Sequence, residues 1–172
     1  MKNIKTEFSQ PRKLLLVALD WGRPKDPPMS LGHASILATL FAYGIDVYPK
    51  SWSVNSPEFN EQLVSTFILE NATSPVDVAF GAFVWNEFYL QKILSTLKDN
   101  HFPGRIVLGG PQISYVKKDI EKYYPQADIF IRGYAEEALS QLMISSERFP
   151  CIQGVHYANP SDLGISAIAN PI

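Results

Sequence analysis

Short apolar runs alternate with amphipathic stretches along most of the chain. Five runs have the length of strands, at residues 13–19, 45–48, 76–83, 105–108 and 127–132. A stretch with helical spacing follows each run, at residues 31–43, from 56 to about 69, from 86 to about 100, at 112–124 and at 135–145. This alternation is typical of βαβ units. The pattern therefore predicts an α/β fold, a doubly wound five-stranded parallel sheet with helices on both faces.

The periodic pattern stops near residue 149. Prolines and glycines are frequent from there to the end, with at most one short strand, at residues 155–157. We therefore expect a Rossmann-like (flavodoxin-like) domain at residues 1–148 and an extended connector at residues 149–172. Because the sequence ends without a closing element, we expect this connector to lead to a C-terminal domain outside the 172 residues.

Composition narrows the class of protein. With 172 residues, 46% of them hydrophobic and 19% charged, the chain has the size of one globular domain. A net charge of -2 without a stripe of Lys and Arg argues against a nucleic-acid partner. No apolar run approaches the roughly 18 residues of a membrane span, and the polar start lacks a signal-peptide core. These features predict a cytoplasmic protein with no membrane partner.

Cys151 is the single cysteine of the chain. One cysteine excludes an internal disulfide framework, and it excludes a zinc or iron-sulfur site built from several cysteines of this chain. A reducing cytosol fits this composition.

Four loops are expected to form one ligand-binding edge. In a doubly wound sheet, the loops that follow the carboxyl ends of the strands all lie at the same edge, and ligands bind there. Here these loops are residues 20–30, 83–86, 109–112 and 133–137. The site can thus be placed before any motif is considered.

The third of these loops follows the run Ile106-Val107-Leu108 and reads Gly109-Gly110-Pro111-Gln112. Two glycines at the end of a strand allow the backbone to approach a bulky ligand closely. The alternative is a tight turn before a helix that begins at Pro111, which many α/β proteins have without binding a ligand. The residues alone leave both interpretations open.

Large apolar side chains stand in the first two loops, namely Trp21, Met29 and Trp85. They are consistent with a ligand that has a broad apolar face, and equally with a cover for the core or an interface with another domain. Asp20 is either a ligand or general base, or a turn former. Glu136 and Glu137 begin a helix, where acidic side chains stabilise the helix dipole.

Several common sites are absent from the sequence. His33, His101 and His156 lack the spacing of metal ligands, no Ser/His/Asp arrangement is recognisable, and neither phosphate-binding glycine motif occurs. Receiver domains need a phosphoacceptor Asp after the third strand, where this chain has Gly-Ala-Phe-Val-Trp at residues 81–85. We predict no catalytic residue and no metal ligand.

Three segments together resemble a known family. They are Pro-Pro-Met-Ser-Leu-Gly at residues 27–32, Val-Leu-Gly-Gly-Pro at 107–111 and Ile-Arg-Gly-Tyr-Ala-Glu-Glu-Ala-Leu at 131–139. In this order they resemble the cobalamin-binding domain that precedes the catalytic barrel in cobalamin-dependent radical S-adenosylmethionine enzymes. The likeness covers roughly residues 13–142.

The resemblance implies a cobalamin site at the carboxyl edge of the sheet. The corrin ring would lie on this edge, and its nucleotide tail would run between strands and helices past the glycine pair. The implied cofactor-binding residues come from all four loops: Asp20, Trp21, Met29, Phe83, Val84, Trp85, Asn86, Gly109, Gly110, Pro111, Gln112, Gly133, Tyr134 and Glu136.

Two positions depart from related sequences. Asp20 is followed by Trp21-Gly22-Arg23, so the D-x-H-x-x-G motif that gives cobalt a histidine in other cobalamin proteins is absent. The resemblance therefore implies base-off binding without a histidine ligand. The last loop has Tyr134-Ala135 where the family usually has Glu-Gly, so its contacts are expected to differ.

The resemblance also implies a division of labour, because the cofactor carries the methyl group and the protein positions it. A radical step needs three cysteines on an iron-sulfur cluster, and this chain has one. The cluster and S-adenosylmethionine would belong to a barrel domain in the same or a separate chain, and the whole enzyme would be a methyltransferase.

Two other functions are compatible with the residues. The first is a Rossmann-like docking or substrate-recognition module without cobalamin, with Trp21, Met29 and Trp85 at a protein interface. The second is a flavodoxin-like flavin binder, although the first loop lacks the Ser/Thr-rich phosphate cradle of that class.

Overall fold

A computed structural model describes residues 11–73, 75–116 and 118–159. Its strands and helices alternate along the chain. They are β1 (Lys13–Asp20), α1 (Leu31–Ala42), β2 (Val47–Ser53), α2 (Glu61–Glu70), β3 (Val76–Gly81), α3 (Glu87–Asp99), β4 (Ile106–Gly109), α4 (Pro111–Ser114), α5 (Ile120–Tyr123), β5 (Ile129–Ile131), α6 (Glu136–Ile144) and β6 (Val155–Tyr157).

One sheet contains all of these strands, in the order β2-β1-β3-β4-β5-β6. The first five are parallel to their neighbours, and β6 pairs antiparallel with β5. The prediction of an α/β fold is confirmed. The predicted sheet of five parallel strands is wrong in one respect, because the sheet has a sixth strand, β6, which is antiparallel and lies at its edge. The short run at residues 155–157 extends the sheet because Val155 and Tyr157 are buried against it.

Helices cover both faces of the sheet. In β1, Leu14 and Leu16 face one layer and Leu15 and Val17 face the other, as expected for a strand buried on both sides. The first layer contains α1 and α6, and the second contains α2 and α3. The chain leaves β1 toward one face and its neighbour β3 toward the other. The boundary between β1 and β3 is therefore the topological switch point, where ligands bind in this class of fold.

Two elements after β1 differ from the prediction. Strand β2 begins two residues later than the apolar run and extends to Ser53, because it is an edge strand whose polar positions are partly exposed. The next helix begins at Glu61 rather than near Ser56, since Asn60 caps it by accepting a hydrogen bond from the Gln62 amide at 2.8 Å. Residues 56–59 form turns instead.

The single helix predicted at residues 112–124 is wrong, because the structure has two helices of one turn there, α4 and α5. The Ser114 hydroxyl donates to the Gly110 carbonyl and accepts from the Gly133 amide, which ties the end of α4 to the loop after β5. Asp119 has a φ of 56°, a left-handed conformation that separates the two helices.

The described part of the expected connector packs on the domain. Ile152, Val155 and Tyr157 are buried, and the Tyr157 hydroxyl donates to the Pro150 carbonyl. The remainder of the expected connector, residues 160–172, lies outside the described residues.

Asp77 connects strands at the amino edge of the sheet. Its carboxylate is fully buried and accepts hydrogen bonds from Arg105 (2.7 Å to Nη2) and Arg12 (2.6 Å to Nη2). Arg105 in turn donates to the Arg148 carbonyl at 2.7 Å. Burial, the largest single influence, raises the pKa of Asp77, but the two guanidinium groups together outweigh it and the net pKa lies below 3.8.

We predict that Asp77→Asn lowers the free energy of unfolding by about 3–5 kcal/mol at pH 7, because it removes the buried negative charge that Arg12 and Arg105 both contact. Since the folded-state pKa is depressed, the stability from this carboxylate is present above about pH 4 and is lost as pH falls further. Urea unfolding at pH 7 and pH 3 measures both effects. The exposed Asp99→Asn is the control, and equal stability of the two variants at pH 7 would contradict the prediction.

Candidate functional site

A cleft of about 360 Å³ opens at the carboxyl edge, at the switch point between β1 and β3. Its floor is the face of the sheet that carries α1 and α6, and these two helices form its sides. The predicted position of the site, at the carboxyl ends of the strands, coincides with this cleft.

The cleft exists because the side chains on this face become smaller toward the carboxyl ends of three strands. The sequence steps from Leu16 to Ala18 in β1, from Ala79 to Gly81 in β3 and from Val107 to Gly109 in β4, and all six residues line the cleft. Residues two apart in a strand share a face, so each step is a local loss of volume above the sheet.

Stacked aromatic rings form one wall of the cleft. Phe83 and Trp85 have ring centroids 4.5 Å apart and nearly parallel planes. The Trp85 indole N–H donates to the Leu19 carbonyl at the end of β1, at 3.1 Å. This bond fixes the ring while part of its surface stays exposed. Val84, between the two rings in sequence, is 80% exposed and does not line the cleft.

Asn86 is completely buried beneath this wall. Its side-chain oxygen accepts from the Phe83 amide at 2.9 Å, and its side-chain nitrogen donates to the carbonyls of Leu19 (3.1 Å) and Gly81 (2.9 Å). The side chain thus joins the ends of β1 and β3 and the start of α3. Because its amide is engaged by backbone groups, its contribution to the cleft is structural.

The two glycines of the pair have different roles. Gly110 has a φ of 92°, and a Cβ there would lie 2.9 Å from the Ala82 carbonyl oxygen, so the turn itself requires glycine. Both glycines line the cleft, and a Cβ at Gly109 would meet nothing closer than 3.7 Å. Pro111 and Gln112 begin α4 and do not line the cleft. Of the pair, Gly109 is the one that leaves space for a ligand.

The opposite wall contains Gly133, Tyr134 and Glu136. Glu136 accepts a hydrogen bond from the Ser35 hydroxyl at 2.8 Å, which joins α6 to α1. Tyr43 makes a second connection between these helices by donating to the Glu137 carboxylate at 2.8 Å. Glu136 therefore helps to hold the two sides of the cleft together, beyond the dipole role considered from the sequence.

The first loop contributes less to the cleft than the sequence suggested. Asp20 lines it, but Trp21 lies in a neighbouring groove toward β2, and Met29 lines neither. The Gly22 amide donates to Asn55 Oδ1 at 2.9 Å, and Asn55 donates back to the Gly22 carbonyl at 2.7 Å. This pair of bonds anchors the loop on the side of β2.

Large apolar side chains surround the mouth of the cleft. Trp21 is 54% exposed, and Leu31, Trp85 and Tyr134 also present large exposed surfaces, as does Val84. Exposed apolar side chains beside a cleft are typical of a surface that contacts a ligand or another domain.

His33 lines the cleft and was missed as a site residue from the sequence. It is only 7% exposed, and its Nε2 atom has no hydrogen-bond partner among the described residues. Burial lowers the pKa of His33, and the nearby charge of Asp20 opposes this shift. The sequence signal that could have identified His33 as a site residue is its position three residues after Ser30, at the start of the helix that follows β1.

No group of three His, Cys, Asp or Glu side chains among the described residues is placed to hold a metal ion. Over the same residues, no helix combines the length and apolarity needed to cross a membrane.

No family model matches the chain. A curated protein of Streptantibioticus cattleyicolor, the 2-(S-pantetheinyl)-carbapenam-3-carboxylate methyltransferase, is 32% identical over 73 residues. This match covers 42% of the chain and 11% of that protein.

Solved structures of OxsB, a cobalamin-dependent S-adenosylmethionine radical enzyme, have a similar fold. The TM-score is 0.67 for OxsB with aqua-cobalamin and S-adenosylmethionine bound and 0.66 with aqua-cobalamin bound, each at 14% identity. Each comparison covers 95% of this chain and 23% of OxsB. The chain therefore shares the fold of one part of OxsB and spans less than a quarter of its length.

We predict that Asn86→Ala destabilises the fold by about 2–4 kcal/mol, because buried backbone groups at the ends of β1 and β3 lose their partner. Thermal and urea unfolding measure this loss. Asn100→Ala, at the exposed end of α3, is the matched control and should change stability by well under about 1 kcal/mol. An Asn86 variant as stable as the control would show that this amide does not hold the mouth of the cleft.

Proposed function

We propose that the chain is the cobalamin-binding domain of a radical S-adenosylmethionine enzyme, a methyltransferase when whole. In this proposal the cleft takes the nucleotide tail of cobalamin, and the corrin ring lies over the carboxyl edge. The observation that carries the proposal is the cleft itself, which is open at the switch point beside Gly109 and surrounded by apolar side chains. The fold shared with OxsB supports it.

The residues present fit such a ligand in size and polarity. A volume of about 360 Å³ is at the lower end for ligand clefts, enough for a heteroaromatic base with part of its sugar but not for a corrin macrocycle. The larger ring would contact the exposed side chains of the edge, and Trp21 and Met29 would lie beside it. The stacked Phe83 and Trp85 offer a flat apolar wall, as aromatic ligands prefer.

The chain's own residues would bind and orient, and the cofactor would supply methyl-carrying chemistry when bound. Ala18, Ala79 and Gly109 leave the floor open, Gly133 and Tyr134 border the tail, and Asn86 fixes the wall. Since Asp20 is followed by Trp21 and Gly22, the first loop offers no imidazole to cobalt, so binding would be base-off without a histidine ligand.

Methyl transfer would need a second domain. The iron-sulfur cluster and S-adenosylmethionine would be held by a radical S-adenosylmethionine barrel in the same or a separate chain, since this chain has Cys151 alone. The exposed side chains at the mouth of the cleft, such as Leu31 and Val84, would then be covered by the ring and that domain. We expect this assembly in the cytoplasm.

A docking module without cobalamin is the second candidate, favoured by the same exposed apolar side chains. Trp21, Val84 and Trp85 would contact a protein partner directly, and the cleft would remain without a cofactor. Reconstitution distinguishes the two functions, because only the first gives a chain that retains a corrinoid spectrum through gel filtration.

We predict that the chain binds hydroxocobalamin and that Gly109→Val lowers its affinity by roughly tenfold or more, because the new side chain occupies the cleft. Absorbance titration after reconstitution measures the affinity. Ala42→Val adds similar bulk at the exposed far end of α1 and should leave the affinity unchanged. Gly110 is unsuitable for this test, since a side chain there strains the backbone. Absence of binding by the wild-type chain, or equal binding by the Gly109 variant, would contradict the proposal.

We predict that the reduced, cobalt(II) form of the loaded cofactor shows no resolved nitrogen splitting in its electron paramagnetic resonance spectrum. Base-off binding without a histidine would leave cobalt with no nitrogen ligand from the base or the protein. Such splitting arises only when a nitrogen of this kind is coordinated. Free cobalamin at neutral pH, whose own base coordinates cobalt, is the positive control. Nitrogen splitting in the complex would contradict base-off binding without histidine.

A further inference from the structure

His33 is a polar side chain in a cleft whose lining is largely apolar or small. His33 lines this cleft together with Leu16, Ile36, Val107 and Leu139. Its Nε2 atom is buried and has no partner among the described residues. Buried polar atoms in folded proteins are almost always hydrogen-bonded, so an unpartnered one on a residue that lines a cleft calls for a partner that the free chain does not supply.

The chemistry of that partner can be narrowed. Burial lowers the pKa of His33, with the Asp20 charge opposing, so the imidazole is neutral near pH 7 and one of its ring nitrogens is a donor. The carboxylate of Asp20 lines the same cleft and disfavours a phosphate there. A neutral group fits better than an anion.

The apolar surroundings favour a flat ring over a sugar. Ile36 and Leu139 flank the cleft from α1 and α6, and the small residues Ala18 and Ala79 leave the sheet face open to a planar group. A heteroaromatic base matches this lining, and its ring nitrogen is a neutral hydrogen-bond acceptor.

We propose that His33 donates a hydrogen bond from Nε2–H to a ring nitrogen of the base at the end of the nucleotide tail. His33 thereby makes the cleft selective for cobamides whose base carries such a nitrogen. The inference rests on the proposed function. It also gives the chain a way to favour base-off binding, because the nitrogen that would coordinate cobalt is held by His33.

Three corrinoid probes and three variants test the inference. Cobalamin has the ring nitrogen, a cresolyl cobamide keeps the tail but lacks that nitrogen, and cobinamide lacks the whole base. His33→Phe removes the donor and keeps a flat ring, whereas His33→Gln keeps an N–H donor. His156→Phe is the matched control, since it removes another imidazole whose Nε2 is buried without a partner, outside the cleft.

For His33→Phe we expect an affinity for cobalamin about tenfold lower, consistent with the loss of one hydrogen bond to a buried group. Its affinities for the cresolyl cobamide and cobinamide should stay at wild-type values. His33→Gln should retain most of the cobalamin affinity, and His156→Phe all of it. The melting temperature of the free His33→Phe chain should be no lower than that of wild type, because the substitution removes an unpartnered buried polar atom. If the imidazole had a structural role instead, the melting temperature of this variant would fall.

Three results would overturn the inference while leaving cobalamin binding intact. One is unchanged cobalamin affinity in both His33 variants. Another is a loss of affinity for the cresolyl cobamide in His33→Phe that equals the loss for cobalamin, which would mean that His33 contacts the sugar or the loop of the tail rather than the ring nitrogen. The third is nitrogen splitting in the cobalt(II) spectrum that disappears in His33→Phe, which would make His33 a cobalt ligand. If wild type binds none of the probes, the proposed function fails instead.

Discussion

The structure depends on a loss of side-chain volume along one face of the sheet. Near their carboxyl ends, three adjacent strands carry Ala18, Gly81 and Gly109 on the face that is covered by α1 and α6. Protein interiors are close-packed, so a gap of this size between sheet and helices forgoes packing contacts unless a ligand fills it. The gap lies at the switch point, where the connections of β1 and β3 leave on opposite faces. The strand order and the small side chains therefore favour an opening at the same position.

The rest of the molecule keeps that opening in place. At the amino edge, Asp77 joins β1, β3 and β4 through two arginines, and below the opening Asn86 joins the ends of β1 and β3. The hydrogen bond from Ser35 to Glu136 fixes the distance between the two helices at its sides. These polar contacts are buried or cross-element, so they specify geometry at places where apolar packing alone would allow collapse. Together these contacts connect the strands and helices that border the opening.

The sequence predicts those parts of the fold where local signals and tertiary context agree. The continuous apolar run of β1 and the position of the ligand edge were predictable, whereas the full length of β2 was not, because edge strands tolerate polar residues. Ser114 ends a helix through contacts with a distant loop, which no local pattern reveals. Gly109 was identified, but only backbone geometry separates its role from that of Gly110. His33 was dismissed because burial without a partner is a property of the fold, not of spacing.

The central claim is that the nucleotide tail of cobalamin occupies the cleft between the sheet and the helices α1 and α6. A crystal structure of the chain reconstituted with hydroxocobalamin tests it most directly. We expect density for the base beside Gly109, within hydrogen-bond distance of His33, with the ring over the carboxyl edge. Density for the tail outside the cleft, or a corrinoid bound at another surface, would contradict the claim.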